Sequence, residues 1–473
     1  MYKEVFNRLE DLGQEHLLAF YEQLEFEQQQ NLLNQINSID FDQLTELVNE
    51  HIFKNSHSNI PEIIEPASYY PAVPDSEDLT LLYSEAEKKG KELISKGKVA
   101  VLTVAGGQGT RLGFNAPKGT FPITPIKKKS LFQYFAESII RASEKFSCSL
   151  NWFIMTSEVN DKQTKEFFKK NNYFGLKNEQ VKFFVQGVMP VVGSEGKILM
   201  ADKGNILFSP DGHGGTLTAL KKSGLLDYMR EKVIEHISYF QVDNPLVPVL
   251  NPIFIGLHFF KNADVSSRVL KKIHSQEKLG LFCVVNGVTK VIEYSDLPSS
   301  LATQRVENGT LKFNAGSPAI HIFKREFIES VTVGNRIKLP WHKAVKKVRS
   351  IDFSNDDNYI RECTGIKFET FIFDTIPFAE CILLTEGKRE EEFAPVKNKK
   401  GEDSPETCRK ALVFKDSEKL KMAGVDVPYD ENGIPTAIIE LSPRSFFDVE
   451  DIINKIGFSN KPIIQPGKEI YIQ

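Results

Sequence analysis

Gly106, Gly107 and Gly109, followed by the cations Arg111 and Lys118, form the stretch of this chain best suited to chemistry. Glycine permits positive φ and lets bare backbone N–H groups approach one another, which makes a concavity for anions. Fixed positive charge a few residues on suits a polyphosphate. The spacing GxxxxGK[ST] is absent, and GxGxxG fails because Leu112 stands where its last glycine belongs. A second cluster, Gly212, Gly214 and Gly215 in SPDGHGGTLTAL, allows backbone to approach a flat base or a sugar. The helix beginning near Thr216 favours anions at its N-terminus. Asp243, at the end of YFQVD, is a hard oxygen ligand of the kind Mg²⁺ prefers, and a phosphate mould needs such a cation. Asn314 and Ser317, in NAGSPAIHIF, are suited to hydrogen-bonding sugar hydroxyls.

These residues need elements to position them. Val99–Ala105 is an apolar, β-branched run too short for an ordinary helix, so it reads as a buried parallel strand. Leu150–Thr156, Val181–Val185 and Tyr239–Asp243 read as further strands, with a helix from Asn160 to Lys170. From 98 to about 390 helical and strand patterns alternate, which predicts an α/β domain built on a largely parallel sheet. Ligands of such sheets sit outside the carboxyl ends of the strands. Both glycine loops, Gln186 and Asp243 fall there. Asn286-Gly287 between LFCVV and VTKVIEY predicts a hairpin with a type I′ turn, and Glu293 lies at its far end.

The flanks carry less chemistry. Residues 1 to about 55 predict two or three amphipathic helices, with Leu17, Phe20, Tyr21 and Leu24 at helical spacing. Four prolines between 61 and 74 predict an extended segment laid over the neighbouring domain, and Ser76–Lys96 a charged helix ending at Gly97. Lys367–Phe378, aromatic and alternating, reads as packing. The polar stretch 387–407, which carries Lys397, reads as a domain boundary or mobile loop. After it, short strands near Thr436–Leu441 and a helix over Val449–Ile456 predict a small α+β domain. The expected division is therefore an N-terminal helical region (1–97), a central domain (98–390) and a C-terminal domain (391–473).

Composition narrows the class. A net charge of -4 without basic clusters excludes a nucleic-acid footprint, and the run Lys127-Lys128-Lys129 reads as a solvated loop. Five cysteines with no CxxC pair point to a reducing compartment, without zinc or a disulfide framework. No apolar run approaches the roughly 20 residues of a membrane span, and the start has no apolar h-region, so a cytoplasmic protein with no membrane partner is expected. His258 and His321 sit in apolar runs and read as core residues; the other histidines outside the glycine loop, such as His16 and His342, lack metal-ligand spacing.

AGGQGTRLG, PKG, the QG of VQGVMP, PDGHGG, VDNPLV, the GLFCVVNGVTKVIEYS hairpin, FNAG and EEFAPVKN, in this order, resemble the UDP-sugar pyrophosphorylases, on the UDP-N-acetylhexosamine side of that family. The resemblance implies a Rossmann-like nucleotidyltransferase domain between an N-terminal helical region and a small C-terminal domain. It implies that Gly106, Gly107, Arg111 and Lys118 hold UTP and its phosphates, with Gln186, Gly212 and His213 on the uridine side. Gly280, Glu293, Asn314 and Ser317 would hold the sugar, Asp243 the Mg²⁺, and Lys397 the sugar phosphate. The implied reaction is in-line attack of a sugar 1-phosphate oxygen on the α-phosphorus of UTP, releasing pyrophosphate and UDP-sugar. The nucleophile is already an anion, so catalysis is alignment and charge neutralisation. Two departures bear on the sugar: His213 stands where the acetylhexosamine enzymes usually have Asn, and Ser317 where they have a sugar-contacting Asn. N-acetylglucosamine 1-phosphate is the expected acceptor; glucose 1-phosphate, broad specificity, and a catalytically silent sugar-nucleotide-binding protein are the alternatives.

Overall fold

The computed structural model describes residues 2–54, 63–333, 339–353, 360–457 and 462–473. The chain forms two compact units that interleave in sequence: Met1–Pro61, Gln186–Thr216 and Lys338–Asp374 make one, and Glu62–Val185, Leu217–Ile337 and Thr375–Gln473 the other. Strands and helices are numbered along the chain.

The first unit contains α1 (Tyr2–Asp11), α2 (Phe26–Ser38), α3 (Phe41–Val48) and the short strands β5 (Val188–Pro190), β6 (Met200–Asp202), β7 (Asn205–Ile206) and β8 (Phe208–Pro210). Its longest strands are β15 (His342–Ile351) and β16 (Ile360–Glu369), antiparallel with His342 opposite Glu369. Leu9, Leu17, Leu32 and Ile36 share a core with Val192, Ile198, Met200 and Phe368. Leu17, Phe20, Tyr21 and Leu24 do not lie on one helix: Glu15–Leu18 and Tyr21–Gln23 are separate 3₁₀ turns. Gly13 at φ 63° follows α1, and the side chains of Gln14 and His16 bond instead to the backbone of Gly196 and Ile198.

The second unit is built on an eleven-stranded mixed sheet. Its strands are β1 (Ile64–Pro66), β2 (Val99–Val104), β3 (Trp152–Thr156), β4 (Val181–Val185), β9 (His236–Gln241), β10 (Val265–Lys271), β11 (Leu281–Val285), β12 (Val288–Ile292), β13 (Ala315–Gly316), β14 (His321–Lys324) and β17 (Ile382–Glu386). They run in the order β1-β11-β13-β10-β14-β9-β2-β3-β4, with β12 on β11 and β17 on β10. Parallel pairing is confined to β9-β2-β3-β4 and to β10-β17. The remaining pairs are antiparallel, so the sheet is less parallel than its alternating pattern predicts.

Helices α4 (Glu77–Ser95), α5 (Leu131–Lys145), α6 (Asp161–Lys170), α7 (Gly215–Lys222), α8 (Leu225–Glu231), α9 (Pro252–Phe260), α10 (Ser299–Ala302), α11 (Arg325–Val331), α12 (Arg389–Glu392), α13 (Pro405–Met422) and α14 (Val449–Ile456) complete the fold. Trp152, Phe132, Phe135, Ile154 and Phe240 are fully buried where α5 covers β2, β3 and β9. On α4 and α9, a Cβ at Gly90 would lie 1.9 Å from the Pro252 carbonyl oxygen, and one at Gly256 1.8 Å from that of Ala86. Only glycine lets these two helices approach so closely. The proline-rich stretch is extended as expected, pairing Ile64–Pro66 with β11 and Tyr70 with Thr385, while Pro61 and Glu62 lie outside the described residues. Past β17, α12 and the first residues of α13 fall within the 387–407 stretch expected to be a boundary or loop. β18 (Ile438–Leu441) and β19 (Glu469–Ile472) pair in parallel over a small core of Leu420, Ile439 and Ile452.

The run Lys127–Lys129 is not wholly solvated. Lys129 is buried, and its ammonium pairs with Glu137 at 2.5 Å and with the Tyr471 hydroxyl at 3.1 Å, which compensates a charge that burial alone would not tolerate. All five cysteines are free thiols. Among the described residues no helix is long and apolar enough to cross a membrane.

Candidate active site

β2 delivers the glycine loop to the carboxyl edge of the parallel strands. The loop closes on itself: Lys118 N–H donates to the Gly107 carbonyl at 3.1 Å, and Gly109 N–H to that of Ala116 at 3.0 Å. Asn160 donates its side-chain amide to the Ala105 and Gly107 carbonyls at 2.9 and 3.3 Å, and the Ser157 hydroxyl donates to the Gly106 carbonyl at 2.8 Å. Three successive carbonyls are thus taken up by the protein. The amides of Gly106, Gly107 and Gln108 make no hydrogen bond among the described residues. A run of free N–H groups beside carbonyls held elsewhere is a ready anion cradle. Positive φ is not what the first three glycines supply; in this loop it occurs at Gly113, at 71°. Gly109 is needed instead for space, since a Cβ there would meet Phe114 at 2.8 Å.

Two predicted residues meet at the end of β9. Lys118 Nζ lies 3.2 Å from Asp243 Oδ2, and Asp243 is largely buried. Arg111, exposed on the turn Thr110–Leu112, has no polar partner among the described residues. Lys397 is not in contact with this pair; its ammonium lies 3.5 Å from Asp403. Its neighbour Val396, however, donates N–H to the Asp243 carbonyl at 2.8 Å. Asn244 fastens the same strap, donating to the Glu392 carbonyl at 2.7 Å and accepting from Ala394 N–H at 3.0 Å. Further back, Arg268 pairs with Glu392 at 3.1 Å, although burial still holds that carboxyl above its usual range. Lys399 follows on the strap, and its ammonium would stand 3.5 Å from a Cβ at Gly113.

For a metal, Asp243 supplies one carboxylate. No group of three or more His, Cys, Asp or Glu capable of holding an ion exists among the described residues. A single carboxylate does not cage an ion, but it fits Mg²⁺ that arrives on nucleotide phosphates, because that ion keeps most of its shell from phosphate and water.

The residues expected on the sugar side gather by the carboxyl end of β10. Ser317 N–H donates to the Gly280 carbonyl at 2.8 Å, and a Cβ at Gly280 would lie 3.6 Å from Glu293 Oε1. Asn314 accepts from Lys272 N–H at 2.9 Å through its carbonyl and from the Tyr69 hydroxyl at 3.1 Å through its side chain. Ser317 Oγ is buried with no hydrogen-bond partner among the described residues. The hairpin that carries Glu293 turns at Asn286 (φ 48°) and Gly287 (φ 81°), both positive as a type I′ turn requires.

Gln186, Gly212 and His213 belong to the other unit. Gln186 donates to the Gly212 carbonyl at 2.7 Å. Gly212, at φ 87°, and Gly214 are needed because Cβ atoms there would lie 2.2 and 2.7 Å from Thr370 atoms. These glycines therefore admit the protein's own segment after β16. His213 Nδ1 accepts from Ile372 N–H at 3.1 Å, and its ring stacks on Phe371, which stacks on His342. Burial lowers the His213 pKa to about 4, so the ring is neutral at pH 7.

Ser157, Asn160, Asn244, Tyr69 and Lys399 were not anticipated as site residues. The only local signal was the Asn at the start of the predicted 160–170 helix, which is as good a cap as a brace.

Residues 41–472 match the family model described as UTP–glucose-1-phosphate uridylyltransferase. UDP-N-acetylhexosamine pyrophosphorylase-like protein 1 of Homo sapiens is 35% identical, covering 95% of this chain and 94% of its own. UDP-N-acetylglucosamine pyrophosphorylase of Saccharomyces cerevisiae is 35% identical over 82% of this chain and 81% of its own. The crystal structure of uridine diphosphate N-acetylglucosamine pyrophosphorylase from Trypanosoma brucei superposes with a TM-score of 0.82 at 26% identity, covering 99% of this chain and 97% of that one. With its braced glycine loop and with likeness along nearly its whole length, this chain belongs to the UTP–glucose-1-phosphate uridylyltransferase family.

Proposed function

We propose that the protein transfers the uridylyl group of UTP to N-acetylglucosamine 1-phosphate, making UDP-N-acetylglucosamine and pyrophosphate. The observation that carries this is the run of free amides at Gly106–Gln108 in the loop that the Lys118 backbone closes on Gly107, with the Lys118 side chain paired to Asp243. The amides, Arg111 and Lys118 bind the UTP phosphates and draw charge off the leaving group. A phosphate oxygen of the sugar 1-phosphate forms the new bond to the α-phosphorus as the bond to the α–β bridging oxygen breaks, and pyrophosphate leaves with that electron pair. No proton needs to move at the nucleophile, so alignment and neutralisation supply the rate. Mg²⁺, bound on the phosphates and held by Asp243, would neutralise further charge. Lys397 and Lys399, on the strap tied to Asp243 and Asn244, receive the sugar phosphate. Gln186, Gly212 and His213 take the uridine, and Gly280, Glu293, Asn314 and Ser317 the sugar.

Ser317 supports a second reading, in which glucose 1-phosphate is the better acceptor, because the shorter side chain leaves a buried hydroxyl unpaired and offers no amide to an acetamido group. Measuring kcat/KM for both sugar phosphates with UTP decides between them. A preference for N-acetylglucosamine 1-phosphate of ten-fold or more is expected; the reverse preference replaces the acceptor and leaves uridylyl transfer intact.

A further inference from the structure

A cavity lies at the amino end of β9, away from the carboxyl edge that carries Asp243. It encloses about 350 Å³ and is lined by His236, which opens β9, and His258, near the end of α9. Both side chains are more than nine-tenths buried. Among the described residues, neither ring nitrogen of His236 has a hydrogen-bond partner, and His258 Nε2 has none either. Three orphaned nitrogens on two neighbouring buried rings are costly unless something occupies the space between them. His258 Nδ1 lies 2.6 Å from the Ser266 hydroxyl, which leaves Nε2 as the lone-pair nitrogen when Nδ1 carries the proton. This is the outer-shell arrangement that orients a metal-binding histidine.

Ring geometry agrees with one shared ion. The two centroids are 5.0 Å apart, with planes at 90°. A tetrahedral ion about 2.0 Å from one nitrogen of each ring holds imidazole centroids roughly 5 Å apart. Each charge lining the cavity has a partner: Lys324 lies 3.7 Å from Glu326, Arg325 pairs with Glu329 at 2.5 Å, and Glu235 pairs with Lys98 at 2.6 Å. No third His, Cys, Asp or Glu completes a cage among the described residues, so water must fill the other positions.

We propose that this cavity is a binding site for one borderline divalent ion such as Zn²⁺, held by His236 and by His258 Nε2 and completed by water. The imidazole nitrogens favour such an ion over Mg²⁺, which prefers oxygen. The site is separate from uridylyl transfer, and its test does not depend on activity.

Crystals of the unaltered protein are soaked in Zn²⁺ with excess Mg²⁺, and anomalous differences are measured at the zinc edge. A peak about 2.1 Å from a nitrogen of each ring is expected. Solvent without anomalous signal at the pair, or a zinc peak only elsewhere, overturns the proposal. In solution, isothermal titration with Zn²⁺ should show one site, weakened at least ten-fold in both His236→Asn and His258→Asn. Unchanged affinity in either folded variant also overturns it, and the soak decides should a variant fail to fold.

Discussion

The phosphate end and the sugar end of the candidate site are built to different standards. Around the glycine loop, the Ala105, Gly106 and Gly107 carbonyls are held by Asn160, Ser157 and the Lys118 amide, and Lys118 is itself paired with Asp243. At the proposed sugar end, backbone placement is as firm, yet the Ser317 hydroxyl is buried without a partner among the described residues. Charge chemistry demands groups fixed before substrate arrives. Recognition can leave a polar atom unpaired until the right hydroxyl or amide fills it, and it discriminates most sharply where such atoms are buried. On the proposed assignment, this difference puts the reaction at one end and the choice of acceptor at the other.

Removing the phosphate-end cation is the hardest blow to this contrast. Lys118→Ala should lower kcat/KM by about 10²–10³-fold with either sugar phosphate, by the measure of a lost charge-stabilising donor. An equal loss for both acceptors, read in a steady-state pyrophosphate assay, keeps the two ends distinct; a loss confined to one acceptor would merge them.

His213, proposed on the uridine side, sharpens the comparison through pH. Its folded-state pKa, about 4, lies below the ordinary 6.5. Above 6.5 the ring is neutral in both states and adds no pH dependence. As the pH falls from 6.5 towards 4, the unfolded chain takes a proton that the folded chain refuses, so stability falls, by about 3 kcal/mol from this residue. Denaturant titrations of His213→Asn should show that slope reduced, whereas an unchanged slope would place the acid sensitivity in other buried histidines.

Asn160 is a positioning residue. Asn160→Ala should cost about 1–3 kcal/mol, since it strands the Ala105 carbonyl, and should raise the KM for UTP more than the KM for the sugar phosphate. Rescue by Asn160→Asp is not expected, because a carboxylate cannot donate to carbonyls. Smallest in stability is Ser317→Ala, within about 1 kcal/mol, because no hydrogen bond is broken. Its effect should appear as a change in the kcat/KM ratio between the two sugar phosphates, with the ratio for UTP analogues unmoved.

Much of the site's frame followed from local pattern. Val99–Val104 and Val181–Val185 form strands because β-branched apolar runs of that length suit a buried parallel sheet, and Asn286-Gly287 makes the expected turn. What escaped depends on distant chain. β15 and β16 return to the unit begun by α1–α3, a pairing that no local period announces. Lys129 sits in a run of three lysines, and only Glu137 and Tyr471, the latter more than three hundred residues away, reveal it as buried. α13 carried a readable signal: Ser404 caps it and Pro405 opens it, yet the polar composition around Lys397–Lys400 obscured both. The braces on the glycine loop were equally hidden, because Asn160 and Ser157 act on carbonyls some fifty residues earlier.

The most direct test of the account follows the α-phosphate itself. UTP labelled at the α-phosphorus is incubated with Mg²⁺ and N-acetylglucosamine 1-phosphate, and the products are separated. The account predicts that the label moves into UDP-N-acetylglucosamine with unlabelled pyrophosphate released in equal amount, and that Lys118→Ala slows this without unfolding the protein. No transfer of label to N-acetylglucosamine 1-phosphate, glucose 1-phosphate or any other sugar 1-phosphate tried, from protein that still binds UTP, would contradict it.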